Sequence, residues 1–469
     1  MRAYLVIRTG KEEAKMLKRF LFILMVLFLS CPFLFAEISE DNLTLVGYLK
    51  NETSVRIKGL NNDLSKFKNI LELSGEYVIN KDFSFFGKVK YWYDAMYGWR
   101  DKYDEGQHYM GHIQRTDWLR DCYLDYTHAP WFLRLGKQQV AWGQADGVQV
   151  LDRVNPVDLT EYWLQDFVDI RIPLWMANIN YSPKLNSNLQ LLIIPDFEAS
   201  TGAPAAAPFA FRSAKLFDNK QKALGIGLDT VFPGKQFNNS TFGLEWKDCI
   251  GDLQYTLNYL YGYYNIARTL AYRATYAVRS FKRWQMYGSS FNKTFTESGL
   301  FQGITLRGDF AYYNDEPTYF GTDGSSAGFK RWDNVLWLIG IDKYVATNWL
   351  ASFQFSQYIL QDAKPGGFRA TTGEPYKPLN SITSGPMDQV DNIFSLKIST
   401  DFLHERLKPE ILWVFSDDNQ GRLSPKLTYE IDNNLWLTMG VHYFYGHEQD
   451  SYGQFRDQSQ FYTHLKYTF

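Results

Sequence analysis

What this chain has least of narrows it first. Its 469 residues hold three cysteines, too few for a disulfide scaffold, and Cys31 lies in a segment expected to be removed. There is no C-x-x-C pair, no phosphate-binding glycine loop and no dinucleotide fingerprint, so zinc ribbons, dithiol redox centres and nucleotide folds have no motif here. An excess of one charge is lacking too. Lys and Arg number 49 against 51 Asp and Glu, a formal net charge of −2, which leaves no basic footprint for nucleic acid. Beyond residue 36 no apolar run approaches about 18 residues, so helical membrane spans are excluded.

What is present is aromatic. Phe, Tyr and Trp make up 17% of the chain, as 35, 32 and 14 residues, which suits a protein with aromatic girdles at two lipid interfaces. Residues 1–36 read as a signal peptide. Lys15, Lys18 and Arg19 precede the apolar run from Phe20 to Leu29, and Leu34-Phe35-Ala36 offers a processing site. Met16 is a second candidate start, since the residues before it add nothing a signal needs. Phe28-Leu29-Ser30 before Cys31 is a poor lipoprotein box. The remaining cysteines, Cys122 and Cys249, are in a compartment that permits a bond between them, but they fall on separate expected strands, which does not favour one.

Residues 37–469 show alternation of apolar and polar side chains rather than helical periodicity. Eighteen strands are expected, near 43–57, 65–80, 82–93, 116–128, 131–140, 174–182, 187–195, 238–247 and 252–264. The rest lie near 280–293, 300–313, 334–344, 347–360, 392–403, 406–417, 422–431, 434–446 and 457–469. Their connections alternate between short and long, with long ones at 94–115, 141–173, 196–237, 265–279, 314–333 and 361–391. Short turns on one side and long loops on the other, with an even strand count, predict an all-β transmembrane antiparallel barrel of about 16–18 strands. Parity assigns the faces. Ile304, Leu306, Phe310 and Tyr312 point to lipid while Thr305, Arg307 and Asp309 point inward; Phe394, Leu396 and Ile398 oppose Lys397; Leu427, Tyr429 and Ile431 oppose Lys426, Thr428 and Glu430. Inward charges stay hydrated in a water-filled lumen.

The segment Trp131 to Trp175 organises the rest. A strand breaks at Trp142-Gly143 into a connection carrying Asp146, Asp152, Arg153, Asp158, Glu161, Asp166, Asp169 and Arg171 among large apolar residues, and such a loop is expected to fold back into the barrel. Gly143 and Gly147 permit turns, Asn155-Pro156 is a turn signal, and Asp152 or Asp158 can cap nearby amides. Arg134, Arg153 and Arg171 are expected to pair with Asp146, Asp158, Asp166 or Asp169 and pin the loop to the wall. With Arg307, Asp309 and Lys397, these charges either form a constriction that selects solutes by size and charge or fasten a plug. The loop at 196–237, with Thr201-Gly-Ala-Pro-Ala-Ala-Ala-Pro208, reads as a surface whisker rather than a lid.

Two resemblances add to this. Phe461, Thr463, Leu465, Tyr467 and the terminal Phe469 share one face, which resembles the last strand of Gram-negative outer-membrane proteins. That likeness implies that Phe469 is read by the barrel-assembly machinery. The words RLGKQQVAWGQADGVQVLDRVNPVDL and DFVDIRIPLWM resemble the signature of a large proteobacterial family of outer-membrane barrels catalogued as a domain of unknown function. That resemblance implies a porin-like channel for small or hydrophobic, lipid-like solutes, working beside an inner-membrane exporter. Lipid and lipopolysaccharide are its expected surroundings.

Catalytic chemistry is thinly represented. Gly324-Ser-Ser-Ala-Gly328 matches G-x-S-x-G in letters, but it sits in an expected loop and not on a strand–turn–helix elbow. His108 and His112 are spaced i, i+4 without a helical pattern, and a metal site needs further ligands. Asp101, Asp104 and Glu105 read as a solvated face. No cofactor or metal is expected. The alternative to a channel is an outer-membrane enzyme acting on lipid or peptide at the barrel rim. Strand number separates the two: about eight strands fill with side chains, while 16–18 leave a passage.

Overall fold

The structure, a computed structural model, describes residues 38–57 except 41, 64–96, and 118–469 except 226, 273–275, 298, 323–324 and 362–375. The signal segment, His108, His112, Asp101, Asp104 and Glu105 lie outside the described residues. Eighteen strands form the wall. The first six are β1 (Leu43–Arg56), β2 (Leu64–Val78), β3 (Phe83–Asp94), β4 (Leu119–His128), β5 (Trp131–Gln138) and β6 (Leu174–Lys184). Next come β7 (Ser187–Ile194), β8 (Thr241–Ile250), β9 (Leu253–Tyr263), β10 (Arg283–Thr294), β11 (Ile304–Thr322) and β12 (Ser325–Ala346). The last are β13 (Trp349–Leu360), β14 (Val390–Ser399), β15 (Leu407–Ser416), β16 (Gly421–Asp432), β17 (Leu435–Tyr445) and β18 (Gln460–Thr468).

Each strand pairs antiparallel with its sequence neighbours, and β1 pairs with β18 from Tyr48↔Thr468 to Arg56↔Gln460. The sheet therefore closes into an 18-stranded barrel. Closure satisfies the strand amides that a bilayer would otherwise leave unpaired. Outward positions carry exposed apolar groups, such as Leu73, Phe310, Ile339, Ile341, Phe353, Trp413 and Phe461. Stacked outward rings, Phe394 on Phe415 at 5.1 Å, build part of the aromatic surface. The alternation expected for β11 is observed: Phe310 is 44% exposed while Arg307 and Asp309 are buried inside the barrel. Cys122 on β4 and Cys249 on β8 are free thiols.

Three loop expectations need correction. First, 314–333 is not a loop: β11 and β12 run on as a paired hairpin to Thr322↔Ser325. The departure is a bulge at Asp315, where the Asp333 carboxylate accepts from the Asp315 amide at 3.0 Å, Asn314 at 3.0 Å and the Tyr312 hydroxyl at 2.7 Å. Polar and glycine residues in the hairpin's outer half conceal its strand character. Second, 196–237 is not a whisker. Ala203, Ala207, Phe209 and Ala210 are buried in one cluster with Tyr162, Phe444 and Phe455, and Arg212–Leu224 is a helix ended by Gly225 in the left-handed conformation. Small residues suit close packing as well as flexibility, and composition alone did not distinguish them. Third, 265–279 carries its own strands, Arg268–Tyr272 and Tyr276–Ser280, in a small sheet with Gly227–Val231.

Candidate functional site

The long loop between β5 and β6, residues 139–173, folds into the barrel. Its base is closed by Asn155, whose Oδ1 accepts from the Val140 amide at 2.8 Å and whose Nδ2 donates to the Ile172 carbonyl at 2.9 Å. Gly143 then turns the chain at φ +92°, and a Cβ there would lie 2.5 Å from Asp309 Oδ2. Glycine meets both demands, of conformation and of space. Just beyond it, the Asp309 carboxylate accepts from the amides of Gln144 at 2.8 Å and Ala145 at 3.0 Å. Arg307 donates to the Gln144 carbonyl and is itself held by Asp342 at 2.8 Å. Gln354 brackets Asp146, accepting from its amide at 3.0 Å and donating to its carbonyl at 3.1 Å.

Behind these polar contacts is an apolar seat. Val140, Trp142, Val150, Leu151 and Val154 pack on the inward side chains of β6, β7 and β9 to β12, including Leu192, Met286, Tyr313 and Leu338. Val150 and Leu151 are fully buried. The Tyr313 hydroxyl donates to the Val150 carbonyl at 2.6 Å. One half of the loop is thus held on one wall by burial of apolar surface, the dominant stabilising term in a packed interior.

The second half crosses to the opposite wall and is held there by charge. Lys66 and Lys68, inward on β2, bond to the two carboxylate oxygens of Glu161, Lys68 at 2.9 Å. Lys66 also reaches Glu52 on β1 at 3.2 Å. Burial by itself raises the Glu161 pKa, but the two ammonium groups outweigh it and hold the carboxyl at about 2. Asp169 is likewise pushed up by burial and held below the usual range by Lys90. Arg120 caps the end of the crossing at the Arg171 carbonyl, 2.6 Å away, and Arg422 on β16 donates to the Trp163 carbonyl. At the centre Tyr162 adopts φ +53°, a left-handed backbone that costs a bulky residue about 1–3 kcal/mol. Its ring is set among Phe211, Phe444, Tyr452 and Phe455.

The pairings differ from those expected of the arginines. Arg134 faces the lumen but grips Asp125 on β4 through Nε and Nη2, at 2.7 and 2.8 Å, and not the loop. Arg171 binds Asp152 inside the loop, its Nε at 2.9 Å and its Nη2 at 2.7 Å. Asp152 is therefore a counter-ion and not a cap, whereas Asp158 does cap, accepting from the Thr160 amide at 2.9 Å. Asp158 also takes the Thr201 hydroxyl at 3.1 Å, which ties this loop to the next one. Arg153 lies over the Tyr313 ring, its Cζ 5.4 Å from the centroid. Asp166 is exposed, and Asp146 keeps 59% of its side chain open, 3.8 Å from Arg307. Lys397 sits on the inner wall beside Glu410 at 3.5 Å, and Glu410 also pairs with Lys426 at 3.0 Å.

Sequence reasoning missed Lys66, Lys68, Lys90, Gln354 and Arg422. Their one legible signal was inward parity on amphipathic strands. In the G-x-S-x-G stretch, Gly324 lies outside the described residues, and the Ser326 hydroxyl on β12 donates to the Gly328 carbonyl at 3.1 Å and accepts from its amide at 3.3 Å. No group of three His, Cys, Asp or Glu able to hold a metal occurs among the described residues.

Comparison with known proteins gives a family and a fold. A family model described as "Protein of unknown function (DUF1302)" matches residues 59–469. No curated protein matches the chain. The structure is similar to OccK11 (OpdR) of Pseudomonas aeruginosa, with a TM-score of 0.50 and 10% identity over 93% of this chain and 98% of that one. It is similar to OccK3 (OpdO) of the same organism, with a TM-score of 0.50 and 9% identity over 92% and 97%. At such identities the likeness shows the outer-membrane porin fold.

Proposed function

The chain belongs to the family of proteins of unknown function DUF1302, and we propose that in the bacterial outer membrane it forms a porin-like channel narrowed by the loop at 139–173. The observation that carries this reading is the asymmetry of the loop's attachment. One half is seated on the apolar inner face of β6 to β12, while inward charges remain on the other side of the barrel. There Lys397 and Lys426 keep 34% and 37% of their side chains accessible. A barrel of 18 strands is wide enough to hold water once one loop is accommodated. Charged groups lining the remaining space favour small polar solutes over lipid-like ones as the cargo, because a buried charge without water or a partner is costly.

The test is single-channel conductance of the refolded mature chain in a planar bilayer, with and without residues 144–170. A steady conductance that rises on deletion supports a pore narrowed by this loop. Absence of conductance in both forms, from a barrel that still migrates as folded, rejects the open pore.

A further inference from the structure

We propose that Arg153 and Arg268 form an oxyanion-binding subsite at the edge of the inward loop, taking the carboxylate or phosphate group of a solute. The subsite rests on the channel reading only in that its ligand arrives through the lumen.

Arg268 is 2% exposed. Its Nε donates to the Pro317 carbonyl at 2.8 Å, its Nη1 has no partner, and its guanidinium lies between the rings of Tyr264 and Tyr319, at 4.9 and 4.8 Å. Arg153, on the loop, covers the Tyr313 ring, and its buried Nε is also unpartnered. The two arginines flank one aromatic row: Tyr264 meets Trp284 at 5.8 Å, and Trp284 meets Tyr313 at 5.4 Å.

Glu316 lies close enough to act on Arg153 through space but forms an ion pair with neither arginine. Oε2 of Glu316 is taken by neutral donors, Asn334 Nδ2 at 2.7 Å and the Tyr358 hydroxyl at 3.1 Å. Among the described residues neither arginine forms an ion pair, whereas Arg134, Arg171 and Arg307 each hold a carboxylate. Two guanidiniums against one carboxylate leave a positive excess out of water, and buried charge calls for a partner. Unpartnered guanidinium N–H donors with net positive charge, on one aromatic row, match the charge and hydrogen-bonding demand of an oxyanion. A cation is repelled, and a neutral solute leaves the charge uncompensated.

The experiment is calorimetric titration of the refolded full chain with sodium benzoate, sodium phosphate and sodium chloride at constant ionic strength, repeated on Arg153→Gln and Arg268→Gln. Saturable binding of benzoate or phosphate is expected, weakened about tenfold for each charged hydrogen bond removed. Preference between the two identifies the carboxylate or the phosphate as the source of the group. The proposal is overturned if binding is unsaturable, if chloride binds equally well, or if Arg153→Gln binds as the parent does. Should Arg268→Gln fail to refold, Arg153→Gln decides alone, since its side chain is on the loop. Binding without conductance in either form rejects the channel and keeps the subsite; conductance without binding does the reverse.

Discussion

At the scale of single residues, charge that is inward and paired sets the loop's position. Glu161→Gln leaves Lys66 and Lys68 without the carboxylate they share, and breaking a buried pair costs about 3–5 kcal/mol. The loop's second half is then expected to detach at neutral pH, read as noisier or larger single-channel currents. The same pair fixes a pH dependence. The folded pKa of Glu161 is depressed to about 2, below the usual value of about 4.3. Its contribution is therefore complete above that usual value and is lost as pH falls toward the depressed one. Protease cleavage of the loop should stay slow at neutral and mildly acid pH and accelerate only below about pH 4. Asp309→Asn acts on the other half. It weakens the charged acceptor of the Gln144 and Ala145 amides, each such bond being worth about 1.5–3 kcal/mol. Faster hydrogen exchange at those two amides is the readout.

At the scale of elements, loops 139–173 and 196–237 are one packed assembly, joined through Asp158 and Thr201 and through the aromatic nest around Tyr162. Leu151→Ala empties a fully buried position on the seat, at about 2–5 kcal/mol. It is expected to raise conductance as Glu161→Gln does, but to keep the parent's dependence on pH through Glu161, which Glu161→Gln lacks. Loss of that pH dependence in Leu151→Ala as well would show that the two halves move together. The inward turn at 141–173 was legible from its mixture of charge and large apolar groups, and Gly143 and Gly147, expected to turn the chain, both have positive φ. The partners of Arg134 and Arg171 were not legible. Asp125 meets Arg134 across a strand pair, and Asp152 meets Arg171 across a loop, and sequence spacing does not fix which acid is nearest.

At the scale of the whole molecule, the barrel makes every substitution depend on its face. Arg placed at Phe310, which looks outward, is expected to destabilise by about 2–4 kcal/mol near the bilayer midplane, while Arg at the inward Thr305 is expected to be tolerated. Urea unfolding in vesicles separates them. Phe469 closes the barrel seam through backbone bonds with Gly47 at 2.8 and 3.0 Å. We propose that it is also the assembly signal: its deletion should lower the yield of inserted barrel in cells more than the yield of refolding in vesicles.

The sequence by itself determined the barrel, its strand number to within 16–18, the faces of its strands and the inward course of one loop. Each of these is written in a period of two or in the spacing between turns, and local patterns survive in a one-dimensional record. Only the tertiary structure decided that β11 and β12 extend beyond the wall, that the alanine-rich loop is packed, and which lysines receive Glu161. Those outcomes depend on contacts that local spacing does not fix, from the bulged β11–β12 pairing to the 93 positions between Lys68 and Glu161, and the most distant pairs are chosen by closure of the sheet.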